Sequence, residues 1–263
     1  MLIGYFDEAG GQEQDCTVVC GWVTHDQRWL EFESDWRLLL LSYGVPYLHM
    51  LEMFQYQGPY AEWCNVPGKQ GRFLRDAGAI IRSKVLWGFI FFVKHSAFHF
   101  ANRSFEVTAT VKSPYALAAR SCMEMVEQWR TRTSQSEAIQ FVFEVLDREQ
   151  AALTAATRAI PPILPRPIFE PSRDLPPNEE FPDGKSGVTQ LQAADYLTYA
   201  CREAILNRTR IGSLRHRRSL QVQLQSRFHM GGICSNKMMR RFCLDRNIQR
   251  RRPENPGGDA SLG

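Results

Sequence analysis

Apolar and polar positions change period several times along the chain. Residues 2–6 and 16–24 are β-rich runs separated by the polar, Gly-containing stretch Gly10-Gly11-Gln12-Glu13, the pattern of a hairpin. From Asp26, a candidate helix cap, Trp29, Phe32, Trp36 and Leu39/Leu40 recur at helical spacing. A Gly- and Pro-rich loop then leads to a helical pattern over 70–83. Residues 85–93 form a nine-residue apolar run between Lys84 and Lys94. Spanning a bilayer takes roughly 20 residues in a helix, so this run predicts a core strand. Pro114 opens a helix containing Tyr115, Ala118, Ala119, Cys122, Met125, Val126 and Trp129. A strand over 139–146, a helix over 149–159 and a helix over 190–205 follow. Eight of the 14 prolines fall between Pro161 and Pro182, which predicts a long ordered loop with short edge strands. An opening hairpin followed by alternating helices and strands predicts an α/β or α+β domain with a mixed sheet.

Composition adds two things. A 44% apolar content with 6 Trp and 16 Phe is ample for a packed core across 263 residues. The seven cysteines are scattered and never spaced C-x-x-C, and the N-terminus meets Asp7 and Glu8 where a signal would be apolar. Both features predict a soluble cytoplasmic protein without a membrane partner. Charge is less even than the net +4 suggests. Residues 202–252 hold 14 Lys and Arg against two acids, net +12, while the remaining 18 basic and 26 acidic residues give −8. The segment 206–252 is therefore expected as a basic C-terminal extension to a domain over 1–205, with a disordered tail over 253–263. Clusters such as Arg215, Arg217 and Arg218 point to a polyanion partner or, equally, to a solvated helix face.

The candidate chemistry lies where acids interrupt apolar elements, because an isolated ionised carboxylate is costly to bury. Asp7 and Glu8 end the first predicted strand and point to opposite faces of it. Glu144 interrupts Phe141-Val142-Phe143, and Asp147 follows it as a site residue or a helix cap. Asp195 sits in Leu191-Gln192-Ala193-Ala194-Asp195-Tyr196-Leu197, too apolar for a surface helix, with Gln192 on its face. The alternative for Asp195 is a buried salt bridge. His49, in Leu48-His49-Met50, is more often a core residue than a ligand; His95 and His99 read as structural. Carboxylates from two strands and a helix are hard ligands suited to Mg²⁺ or Mn²⁺. Two such ions about 3.5–4 Å apart can activate a water against a phosphodiester. No P-loop, G-x-S-x-G elbow or H-E-x-x-H is present.

Tyr5-Phe6-Asp7-Glu8-Ala9-Gly10, with Gly21-Trp22-Val23 after it, resembles the start of domain-of-unknown-function family 3800. The similarity continues through Leu48-His49-Met50, Phe143-Glu144-Val145-Leu146-Asp147 and Leu191-Gln192-Ala193-Ala194-Asp195-Tyr196. The resemblance implies a ribonuclease H-like mixed sheet flanked by helices and a metal-dependent nuclease or related phosphodiesterase. It implies Asp7 and Asp195 as metal ligands, Glu144 and Asp147 completing the set, and Glu8 and His49 flanking it. Lys185 resembles a basic residue before the final helix and is a candidate phosphate contact. Ala9 stands where the family usually has Ser, and Leu146 where Gly is usual.

The leading expectation is a Mg²⁺- or Mn²⁺-dependent nuclease acting on DNA or RNA. Asp7, Glu144 and Asp195, with Glu8 and His49, would carry the chemistry. Lys185, Gln192, Arg215, Arg217 and Arg218 would contact substrate. The alternatives are a non-catalytic nucleic-acid-binding or complex-forming protein on the same fold, and an enzyme acting on a small nucleotide or phosphorylated metabolite.

Overall fold

A computed structural model describes residues 1–11, 15–145, 149–177, 183–207 and 228–251, with backbone alone for 204–207. The chain opens with the expected hairpin, β1 (Leu2–Gly11) and β2 (Cys16–His25), paired antiparallel from Leu2↔His25 to Gly11↔Cys16. This ladder is longer than the apolar run that predicts it, so Asp7 and Glu8 lie inside β1 rather than at its end. β3 (Trp87–Lys94) adds antiparallel to β2, and β4 (Ile139–Glu144) adds parallel to β1. β5 (Ile168–Glu170) is the short edge strand expected within the Pro-rich loop, and β6 (Phe228–Ile233) closes the other edge beside β3. The result is one six-stranded mixed sheet in the order β5-β4-β1-β2-β3-β6.

Helices cover both faces. On one lie α1 (Asp26–Tyr43), α2 (Met50–Phe54), α3 (Lys69–Lys84) and α8 (Thr189–Asn207). On the other lie α4 (His95–Asn102), α5 (Val107–Val111), α6 (Pro114–Arg132), α7 (Gln150–Ala159) and α9 (Asn236–Asp245). The α1 face buries Trp29, Phe32, Trp36, Leu39 and Leu40, the residues its spacing predicts. Asp26 does not cap it: His25 holds the cap position, and Asp26 is the first helical residue, accepting a hydrogen bond from its neighbour Gln27. In α6, Pro114 takes the first turn and the Ser113 side chain accepts the Ala116 N–H, a complete start signal. No helix among the described residues is long and apolar enough to cross a membrane.

The boundary expected at residue 206 needs correcting. β6 is a full member of the sheet, and Ile233, Met239, Cys243 and Ile248 are buried in the same core as α6. Charge density concealed an apolar stripe, Met239 and Cys243 one turn apart, behind a proper Ser235 cap. Residues 228–251 are thus part of the domain. Asp147, Arg215, Arg217, Arg218 and the tail over 253–263 lie outside the described residues.

Candidate functional site

Strand periodicity sets the site. Phe6 packs with Phe141 and Phe143 on the α6 side of the sheet, which turns Asp7 and Glu144 to the α8 side. β1 and β4 run parallel with Phe6 opposite Phe143, so the next pair along is Asp7 and Glu144. Their carboxyl groups lie within hydrogen-bonding reach of one another. Phe6 can lie flat on the sheet because Gly21 faces it: a Cβ at Gly21 would stand 2.2 Å from the Phe6 ring.

The third acid arrives on α8, which crosses β1 and β2. Ala193 and Ala194 are fully buried and let the helix sit close, and the Trp22 indole N–H donates to the Ala193 carbonyl at 2.8 Å. Asp195 accepts the Met50 N–H at 2.7 Å, one turn before Thr198, whose hydroxyl contacts the Asp7 carbonyl at 3.4 Å. Asp7, Glu144 and Asp195 are therefore brought together from two strands and a helix. Burial first, then the charges of Glu144 and Asp195, pushes Asp7 well above the usual carboxylate range. Asp195 is pushed up to about 7, by burial first; the Met50 N–H works against this, and Glu144 and Glu52 add to it. Neither acid has an ion pair with Lys, Arg or His among the described residues, so the buried salt bridge considered for Asp195 is not there. No group of three or more His, Cys, Asp or Glu side chains among the described residues is arranged to hold a metal ion.

The remaining candidates separate. Glu8 faces the opposite side, toward Tyr115 and Glu149, and is pushed up to about 7 by burial and by the charges of Glu149 and Glu144. His49 holds the position before α2 without a side-chain capping bond, its Nδ1 3.3 Å from Glu52, and is adjacent in sequence to the Met50 amide that holds Asp195. Lys185 reaches Glu170 at 2.7 Å and so sits at the β5 edge of the site in an ion pair. Gln192 is not positioned as a substrate contact. It is 2% exposed, accepts the Trp36 indole and Leu48 N–H groups at 2.9 Å each, and donates to the Ser172 carbonyl at 2.8 Å. Its physical role is to lock α1, α8 and the Ser172 loop around the acids.

Four neighbours escaped the sequence reading. The Ser172 hydroxyl donates to Glu144, and Arg173 beside it pairs with Glu52 at 3.0 Å and packs over the Tyr47 ring. Tyr115 and Glu149 flank Glu8. Tyr115 is spaced like any core residue of α6, and Ser172-Arg173 sits in the Pro-rich loop, where no periodicity exists to aim a side chain. No family model, curated protein or solved structure matches the chain.

Proposed function

We propose that the chain is a divalent-metal-dependent phosphodiesterase of the nuclease class on a ribonuclease H-like fold, as the resemblance of its motifs implies. The observation that carries this reading is the like-charge cluster: Asp7, Glu144 and Asp195 converge under α8, where Glu144 adds to the upward push on both aspartates, with no Lys or Arg paired to Asp7 or Asp195 among the described residues. Asp7 is buried and Glu144 and Asp195 half-buried; acids gathered in such a place without a countercharge are expensive and are kept where a cation or a proton is needed. The mixed sheet, with Asp7 on a central strand and helices on both faces, supports the fold-level part of the reading.

The donor chemistry fits Mg²⁺ or Mn²⁺, which take carboxylate oxygens. Asp7, Glu144 and Asp195 would hold the ion, which when bound supplies Lewis acidity and compensating charge. The chain's own part is to position and to titrate. Ser172 and the Met50 amide orient Glu144 and Asp195, while Gln192 fixes the loop that carries Ser172. Asp195 loses its proton only near pH 7, so the negative charge of the site grows as pH rises through that value. Activity is expected to rise between pH 6 and pH 8 accordingly. The direct test is cleavage of labelled single- and double-stranded DNA and RNA with Mg²⁺ or Mn²⁺ by the parent chain and by Asp7→Asn and Asp195→Asn. Equal rates in the three proteins overturn the assignment.

One observation favours a second reading. Because no three-group arrangement suited to a metal is present among the described residues, a nucleic-acid-binding protein without turnover also fits. It predicts salt-sensitive binding that needs no divalent ion and survives both substitutions.

A further inference from the structure

The strands β1, β3, β4, β5 and β6 all run the same way, so their carboxyl ends share one end of the sheet. At that end, away from the acids, a cleft of about 650 Å³ opens between α4 and the turn from β6 into α9. Its walls carry Lys94, Ser96, His99, Arg103, Asn236 and Lys237, and no carboxylate lines it. The composition of the two walls explains this. Residues 94–105 and 228–244 contain Lys94, Arg103, Lys237, Arg240 and Arg241 and not one Asp or Glu. Lys94 has Asp15 at 3.5 Å, whereas Arg103 and Lys237 have no ion pair among the described residues.

Asp15 takes the Ser96 hydroxyl and N–H at 3.0 and 2.7 Å as well as Lys94, which leaves Arg103 and Lys237, with the Asn236 amide, as the cleft's uncommitted donors; two cations facing one concave surface are the chemistry that recognises a phosphate. The cleft also stands in register with the acids. Lys94 lies across from Cys16 and so from Gly11, four residues beyond Asp7 and two strands over. Strand rise and spacing place that level roughly 16 Å from Asp7 within the sheet; the cleft opens on the α6 side and the acids on the α8 side, so a strand that touches both passes around the carboxyl end of the sheet. We infer that this cleft is a phosphate-binding subsite for a nucleic-acid strand, with Arg103 and Lys237 as its principal contacts. The substrate class rests on the nuclease reading above; the site itself rests on the cleft.

The test uses the full chain, a short fluorescein-labelled single-stranded oligonucleotide and binding by anisotropy across a salt series. Arg103 and Lys237 are exposed, so Arg103→Gln/Lys237→Gln should fold as the parent does, which circular dichroism checks. Its affinity is expected to fall about tenfold at low salt, and its log–log salt dependence to become shallower by about 1.4, the loss of two phosphate contacts to a single strand. Unchanged affinity and slope overturn the proposal. Loss of inorganic phosphate or mononucleotide binding with unchanged oligonucleotide binding also overturns it, by reducing the cleft to a small-anion site. The two readings fail separately. If the parent never cleaves yet the double variant binds more weakly, the nuclease reading falls and the subsite stands; if the parent cleaves and the double variant binds and cleaves like it, the reverse holds.

Discussion

The two faces of the sheet each bury charge, and they do so in opposite ways. Under α6, Arg120 is fully buried and satisfied: it reaches Glu124 at 2.8 Å and the carbonyls of Ala156, Ile160 and Pro162 at 3.2, 2.7 and 2.9 Å. Arg246 comes from beyond α9 to the other oxygen of Glu124. Positive meets negative there, and the spare donors cap the end of α7. Under α8, Asp7, Glu144 and Asp195 bring only negative charge together. The first arrangement closes on itself and leaves nothing for a ligand to add. The second is incomplete without a proton or a cation, and that difference marks it as the site.

The contrast can be broken most severely from the neutralised side. Arg120→Met removes the donor to three carbonyls and leaves Arg246 as the one cation on Glu124 among the described residues. Breaking a buried pair of this kind should cost about 4 kcal/mol of unfolding free energy by urea denaturation. A loss below about 1 kcal/mol would mean that the network contributes little. The acid cluster should respond in the reverse sense. Asp195 has a folded value near 7 against an ordinary 3.8, so its protonated form favours the fold. That stability is fully present below about pH 4 and is lost as pH rises through about 7. A full shift is worth about 4 kcal/mol, and sharing of protons within the cluster should reduce the observable part to about 3. Thermal melts of the parent should therefore fall from pH 5 to pH 8 more steeply than those of Asp195→Asn. Mg²⁺ should raise the parent's melting temperature at pH 8 and leave that of the variant where it was. Identical pH slopes in the two proteins would sink the like-charge account.

Much of this was legible in the residues. The hairpin, α1, α6 and α8 follow from period, with turn residues for the hairpin and Pro114 for the start of α6, and Asp7, Glu144 and Asp195 stand out because each interrupts an apolar element. What the pattern could not supply was direction. Gln192 shares a helix with Asp195, yet three backbone and indole partners from distant segments claim its amide. Ser172 reaches Glu144 from a Pro-rich loop whose path is set by tertiary contacts alone. β6 and α9 were hidden for another reason: the charges on one face of α9 dominate its composition, while the Met239–Cys243 stripe that folds it against the core is only two residues wide. Net charge describes a segment's solvent face and says little about what it buries.

The finest test compares single hydrogen bonds on the two faces. Ser172→Ala removes the hydroxyl that donates to Glu144 and keeps the backbone carbonyl that Gln192 uses. One such bond to a carboxylate should cost about 1–2 kcal/mol of stability. Its sharper signature is functional, because Glu144 loses the group that fixes its orientation: the Mg²⁺ concentration giving half-maximal thermal stabilisation should rise by about threefold. The matching cut under α6 is Gln128→Ala, which removes a 3.4 Å contact to Glu124. That variant should lose less than about 1 kcal/mol, and its Mg²⁺ response should be that of the parent, since Glu124 already has two guanidinium partners. A Mg²⁺ response altered equally by both changes would mean that the faces are not separate systems, and the division of labour between a closed ion network and an open acid cluster would fail.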